Sequence, residues 1–181
     1  MSVARIVNAP PVLLELSANM KVDIREYCGS DRASLVRLLE ELQDYLVSID
    51  DLKRMRRLPE YGESYTDRTL QNVARNNGKI LMAEADGEVV GAVVGIISEQ
   101  TKEDLLELIP YKRGLVLELV VKHGYRRRGI GTLLMEEMEA YFRQKGCRVS
   151  NLEVFSPNKN AYRLYSKIGY GERSTWMTKS L

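Results

Sequence analysis

The stretch from Glu118 to Thr132 holds the residues whose types and spacing suit chemistry best: an apolar strand with one carboxylate, a turn, then Arg126-Arg127-Arg128-Gly129-Ile130-Gly131-Thr132 opening an amphipathic helix. Glycines let a backbone approach a ligand closely, and the first N–H groups of a helix lack intrahelical acceptors. The helix dipole adds about half a positive charge at that end, so a phosphate or diphosphate is the ligand such a segment suits. Three arginines strengthen the pull. Two well-known phosphate loops do not fit. A Walker loop needs Lys and then Ser or Thr after its second Gly, whereas Thr132-Leu133 follow Gly131 here. A dinucleotide fingerprint needs Gly or Ala where Leu134 stands, and the loop lies late in the chain.

The pattern that does fit is R-x-x-G-x-G after a strand. With Leu119-Val120-Val121, His123-Gly124-Tyr125 and Arg126-x-x-Gly129-x-Gly131, the chain resembles the GNAT superfamily of acetyl-CoA-dependent N-acetyltransferases. A second signature lies downstream as Asn158-x-x-Ala161-x-x-Leu164-Tyr165-x-x-x-Gly169-Tyr170. The likeness in element order runs from Val22 to Lys179, and the specific motifs occupy Leu117 to Tyr170. Gly124 departs from the acidic or proline-containing turn of many members, which alters loop detail.

The resemblance implies an α/β (α+β) fold: a mixed, mostly antiparallel central sheet, flanked by helices and splayed at its central strand. It implies acetyl-CoA as co-substrate and no metal. The backbone of Arg127, Arg128, Gly129, Ile130, Gly131 and Thr132 would cradle the pyrophosphate, with Arg126 beginning the motif. Leu119 and Val121 would hydrogen-bond the pantetheine arm through their backbone, and the Val120 amide would donate to the thioester carbonyl. Asn158 would contact the coenzyme, and Tyr165 would face its sulfur.

Acetyl transfer explains the need for an acid and a base. A primary amine with a pKa near ~10.4 must lose a proton before it attacks, and Glu118 is the candidate base, directly or through water. The departing thiolate, with a pKa of roughly 8.5 by analogy with cysteine, would take its proton from the phenol of Tyr165. Each residue also has a plainer reading. Tyr165 shares an apolar stripe with Ala161, Leu164 and Ile168, the position of a core tyrosine, and a lone acid in an apolar strand can pair with an arginine. No cysteine lies within either motif, so transfer through a ternary complex is expected. The rival readings are a coenzyme-binding sensor or partner-binding module without turnover, and transfer of a longer acyl chain or to a hydroxyl.

These residues need a frame to position them. Alternation predicts a strand over Lys21 to Tyr27, and Leu35, Leu38, Leu39, Leu42, Tyr45 and Leu46 form one helical stripe. Pro59, Gly62 and Ser64 mark a loop before a short helix at Asp67 to Asn76. Lys79 to Ala85 and Glu88 to Ser98 read as a hairpin turning on Asp86-Gly87. Glu103 to Ile109 reads as a short helical insert. Then come a central strand (Gly114 to Lys122), a helix (Gly129 to Lys145), a strand (Arg148 to Phe155), a helix (Pro157 to Ile168) and a last strand (Tyr170 to Lys179). Cys28 and Cys147 read as small core residues.

The 181 residues suit one domain, read as an N-terminal extension at 1–20 and an acetyltransferase-like domain at 21–181. A net charge of +2 gives no general attraction to nucleic acid, and no apolar run reaches the ~20 residues of a membrane span. Two distant cysteines and one histidine indicate neither a zinc site nor a disulfide framework, so a reducing, cytoplasmic setting is expected. Glu40, Glu41, Asp44, Asp50 and Asp51, with Tyr45 and Tyr61, suggest a cationic acceptor, a small amine or a peptide amine. The basic run Lys53 to Arg57 could equally favour an acceptor with a carboxylate. A homodimer through the Ser174 to Leu181 tail is left open by the sequence.

Overall fold

The computed structural model describes residues 20–179; the expected extension at 1–20 lies, except for Met20, outside the described residues. β2 (Lys79–Ala85) and β3 (Glu88–Ser98) form an antiparallel hairpin. Its turn residues, Asp86 and Gly87, adopt φ of 51° and 78°. Asp-Gly supplies the positive φ that a tight hairpin turn requires. β1 (Val22–Glu26) adds antiparallel to β2, β4 (Arg113–Val121) antiparallel to β3, and β5 (Val149–Leu152) parallel to β4. The sheet order is β1-β2-β3-β4-β5.

Alternation along the strands feeds two cores. On one face, α4 (Ile130–Gln144) lays Leu134, Met135, Met138 and Phe142 against Leu81, Ala83, Val93 and Val116. On the other, α1 (Arg32–Ser48) lays Leu35, Leu38 and Leu39 against Ile80, Met82, Ala92 and Val94, with Leu70 and Val73 of α2 (Tyr61–Arg75) alongside. α3 (Asp104–Glu107) and α5 (Lys159–Lys167) complete the helices. α4 lies so close to the sheet that two strand positions must lack a side chain. A Cβ on Gly95 would come within 2.5 Å of the Met138 sulfur, and one on Gly114 would enter the Phe142 ring.

Two departures from regular pairing shape the centre of the sheet. Glu118 pairs with Val94 and Val116 with Gly95, so Leu117 is the extra residue of a bulge. Alternation is cancelled for one step: Leu117 packs in the α1 and α2 core, and Glu118 turns to the same side, where it meets Tyr65. The second departure is on the opposite edge of β4. β5 pairs only with Arg113 to Val116, so the two strands part beyond that point and the edge from Leu117 to Val121 is left open among the described residues.

The structure corrects several expectations. α2 starts at Tyr61, six residues before the expected Asp67, and Gly62 lies inside it; that glycine is buried where a Cβ would reach 2.5 Å from a Glu40 oxygen, so it marks a close crossing of α1 and α2. β5 stops at Leu152, short of Phe155, because its partner strand diverges. Residues 171–179 form no strand, and Trp176 and Met177 lie exposed. Cys28 is exposed near Asp31, whereas Cys147 is half-buried against the α4 core.

Gly114→Ala drives a methyl into Phe142 and should cost about 1–3 kcal/mol of stability, read by urea unfolding. Combined with Phe142→Leu, the two losses should sum to less than additivity predicts, because the smaller side chain removes the clash.

Candidate active site

The start of α4 is built for an anion. Gly129 caps the helix at φ 82° and Arg127 also has positive φ, 66°. Backbone of this kind curls successive N–H groups into an anion-binding concavity. Leu133 N–H, bonded to Gly129 O at 3.1 Å, is the first to find an acceptor; among the described residues no N–H from Arg127 to Thr132 does so. Those six donors, with the helix dipole, fit a pyrophosphate.

The open edge of β4 supplies the second part. Lys122 N–H donates to Val90 O at 2.8 Å, and antiparallel pairing alternates, so Val120 also directs its N–H and C=O to β3. Leu119 and Val121 therefore direct theirs to the gap between β4 and β5. This corrects the expectation for Val120: its amide belongs to the sheet ladder, and the N–H that faces the gap beside Glu118 is that of Leu119.

The three arginines divide. Arg126 is held by the protein: its Nε donates to Val121 O at 2.8 Å, its guanidinium pairs with Glu41 at 3.1 Å, and it lies over the Tyr45 ring. It fixes the end of β4 to α1, whereas Arg127 and Arg128 have no carboxylate partner among the described residues. Arg127 is exposed, and Arg128 lies over the Tyr125 ring. Asn158 also has a structural task, since its Oδ1 caps α5 by accepting from Ala161 N–H at 3.1 Å and receives the Tyr45 hydroxyl at 3.4 Å. Among the described residues its amide nitrogen donates no hydrogen bond.

Glu118 lies on the far side of this gap from the phosphate end. Tyr65 donates a hydrogen bond to its carboxylate; Tyr61 stacks on Tyr65 at 4.9 Å, and Arg68 sits over the Tyr65 ring at 4.7 Å. Burial raises the Glu118 pKa above the ordinary carboxylate value, although the Tyr65 hydrogen bond and the charge of Arg68 pull it down. Tyr61 is pushed up to about 12, by burial first and then by the charge of Glu118. Tyr165 of α5 rises to about 12 for the same two reasons, so the phenol stays protonated and Glu118 is near enough to be felt. The gap thus has a carboxylate that can accept a proton and a phenol that can give one.

The acidic cluster expected at an acceptor cleft is largely neutralised within the protein. Arg57 pairs with Asp44 at 2.6 Å and Glu40 at 3.4 Å, and Glu41 holds Arg126. Asp50 is buried and accepts the N–H groups of Leu52, Arg54 and Met55, which hold its carboxyl below the usual range. Tyr65 and Arg68, in contrast, were not singled out by the sequence reading; the signal was Tyr61 and Tyr65 at helical spacing, obscured by reading Gly62 as a loop marker.

Residues 37–170 match the acetyltransferase (GNAT) family. The chain belongs to the GNAT acetyltransferase family. It is 33% identical over 131 residues to an N-alpha-acetyltransferase of Sulfurisphaera tokodaii, spanning 70% of this chain and 77% of that protein. An uncharacterized N-acetyltransferase of Methanocaldococcus jannaschii is 34% identical over 93 residues, 51% of this chain and 52% of its own. In fold it is similar to the BH1408 protein from Bacillus halodurans, at TM-score 0.78 and 21% identity, covering 88% of this chain and 99% of that one. It is also similar to the aminoglycoside N-acetyltransferase AAC(6')-Iy in complex with CoA, at TM-score 0.67 and 16% identity over 91% and 97%.

As a GNAT acyltransferase the chain has the acetyl-CoA-binding fold, and the free N–H groups at α4 and the open β4 edge fit that coenzyme. Among the described residues no group of three His, Cys, Asp or Glu side chains could hold a metal, and no helix is long and apolar enough to cross a membrane.

Arg126→Lys keeps the charge but loses the fork that joins Val121 O to Glu41. It should destabilise the protein by about 1 kcal/mol in urea unfolding. It should also raise the KM for acetyl-CoA, because the end of β4 is no longer fixed.

Proposed function

We propose that this chain transfers the acetyl group of acetyl-CoA directly to a primary amine within a ternary complex. The observation that carries this reading is the open edge of β4 beside the free N–H groups at the start of α4, with the Glu118 carboxylate, hydrogen-bonded by Tyr65, on the same strand; burial also raises the pKa of both Glu118 and Tyr165. Perturbed groups gathered in a cleft mark functional sites.

The coenzyme supplies the activated acetyl thioester. The N–H groups of residues 127–132 hold its diphosphate, and the Leu119 C=O and Val121 N–H bond its pantetheine arm as an added strand would. The acceptor amine approaches from the α2 side of β4, where Glu118 takes its proton, directly or through a water. Tyr65 orients the carboxylate and remains protonated, its pKa raised by burial and by Glu118. Leu119 N–H donates to the oxygen that gains charge during attack. Tyr165 gives its proton to the departing sulfur.

The deciding experiment is thiol release from acetyl-CoA with and without primary amines. Release that requires an amine is expected. Coenzyme binding without amine-dependent release would overturn the transferase reading in favour of a coenzyme sensor.

Glu118 acts deprotonated, and burial raises its pKa, so kcat/KM should climb with pH through a value above the ordinary ~4.3 of glutamate. Glu118→Gln should abolish that rise and lower kcat by about 10²-fold or more, read in the pH–rate profile. Tyr165→Phe should lower kcat by about 10²-fold while the Kd for acetyl-CoA stays within about twofold, measured by calorimetry.

A further inference from the structure

A cavity of about 570 Å³ lies on the α2 side of β4, lined among others by Tyr65, Arg68, Asn72, Arg75, Leu117 and Glu118. Its volume falls in the range of small-molecule sites, roughly 300–1,000 Å³. Tyr61, Tyr65, Arg68, Asn72 and Arg75 recur at helical spacing, so one face of α2 runs from aromatic beside Glu118 to cationic farther along.

What sets the two cations of the cavity apart is their place beside Glu118 with no carboxylate salt bridge of their own among the described residues. Arg25, Arg32, Arg57, Arg126 and Arg143 each pair with a carboxylate, whereas among the described residues Arg68 and Arg75 pair with none. Glu118 is the one carboxylate lining the cavity, and its hydrogen bond goes to Tyr65. An acceptor with a second positive charge would meet two unneutralised guanidiniums there. An acceptor with a negative group would meet two partners, and Arg68 is already held in place over the Tyr65 ring.

We infer that Arg68 and Arg75 form an anion subsite, so that the amine brought to Glu118 belongs to a small molecule that also carries a carboxylate or a phosphate. This rests on the transferase reading for its amine and on the cavity for its anion. The two arginines lie seven helical positions apart, roughly 10 Å along the axis. An anion a few bonds from the amine reaches Arg68, and one on a longer arm reaches Arg75. The charge of Arg68 lowers the proton affinity of Glu118, and an anion seated on Arg68 offsets it, so the correct acceptor strengthens its own base. The basic run at Lys53 to Arg57 is a weaker candidate for the same task, because Arg57 is neutralised by Asp44 and Glu40 and no residue of that run lines the cavity.

The test compares matched acceptors at saturating acetyl-CoA: ω-amino acids against their amides, amino-sugar phosphates against the free amino sugars, and a polyamine. Thiol release gives kcat/KM, and calorimetry on the CoA-loaded protein gives binding independent of chemistry. The variants are Arg68→Gln and Arg75→Gln, with Arg56→Gln as a control outside the cavity and thermal unfolding to confirm folding. An anionic acceptor should exceed its neutral counterpart by about 10–100-fold, a preference lost in at least one cavity variant while the KM for acetyl-CoA is unchanged. The amide and phosphate pairs separate a carboxylate from a phosphate as the recognised group. Arginine-dependent binding of an anionic amine without thiol release would uphold the subsite and overturn the transferase reading. Turnover of neutral amines or the polyamine with no anionic preference, a preference unchanged in both variants, or no binding of any anionic amine would each overturn the subsite.

Discussion

The parting of β4 from β5 after Val116 is the constraint on which the rest of the molecule depends. A buried strand edge must find partners for its N–H and C=O groups, since an unpaired buried amide costs about as much as a lost hydrogen bond. β4 is paired on the β3 side from Arg113 to Val121 except at the Leu117 bulge, yet on the other side it is paired only to Val116. The protein answers part of that demand itself, through Arg126 at the Val121 carbonyl. The remainder is a template for an extended polar chain, and the pantetheine arm of a coenzyme has that shape and hydrogen-bonding pattern.

The bulge at Leu117 acts with the splay. A regular strand would send Glu118 to the α4 face, into the larger apolar core. One extra residue turns it to the α2 face, where a phenol, a stacked aromatic and a cavity receive it. The carboxylate is thereby set between the gap beside β4 on one side and the cavity lined by α2 on the other. Close approach of α4 through Gly95 and Gly114 supports this arrangement from beneath, since it fixes the strands that bracket the bulge.

Charge in this structure is sorted by partner. Acids on α1 and in the loop after it hold Arg57, Arg126 and a backbone turn in place, and exposed or half-buried pairs of that kind contribute about 0–1 kcal/mol each. Their effect is geometric: they fix α1 to the end of β4 and to the segment that leads into α2. Arg68 and Arg75, which line the cavity, have no carboxylate salt bridge among the described residues, and sequence alone does not separate paired from unpaired guanidiniums.

Local signals in the sequence were decisive where one short segment sets the geometry. Asp86-Gly87 specifies the hairpin, Gly129-Ile130-Gly131 with its arginines specifies an anion-binding helix start, and the two motifs together identify the family. The helical stripes of α1 and α4 were legible for the same reason, because periodicity is a property of neighbouring residues. What periodicity could not show is where alternation fails. The bulge that turns Glu118, the ladder that claims the Val120 amide and the crossing that buries Gly62 inside a helix all depend on a second segment far away in sequence. Composition fixed how many acids and arginines the chain carries. Only the tertiary structure decided which of them neutralise one another and which face a cavity, because a charge is defined by what it is packed against.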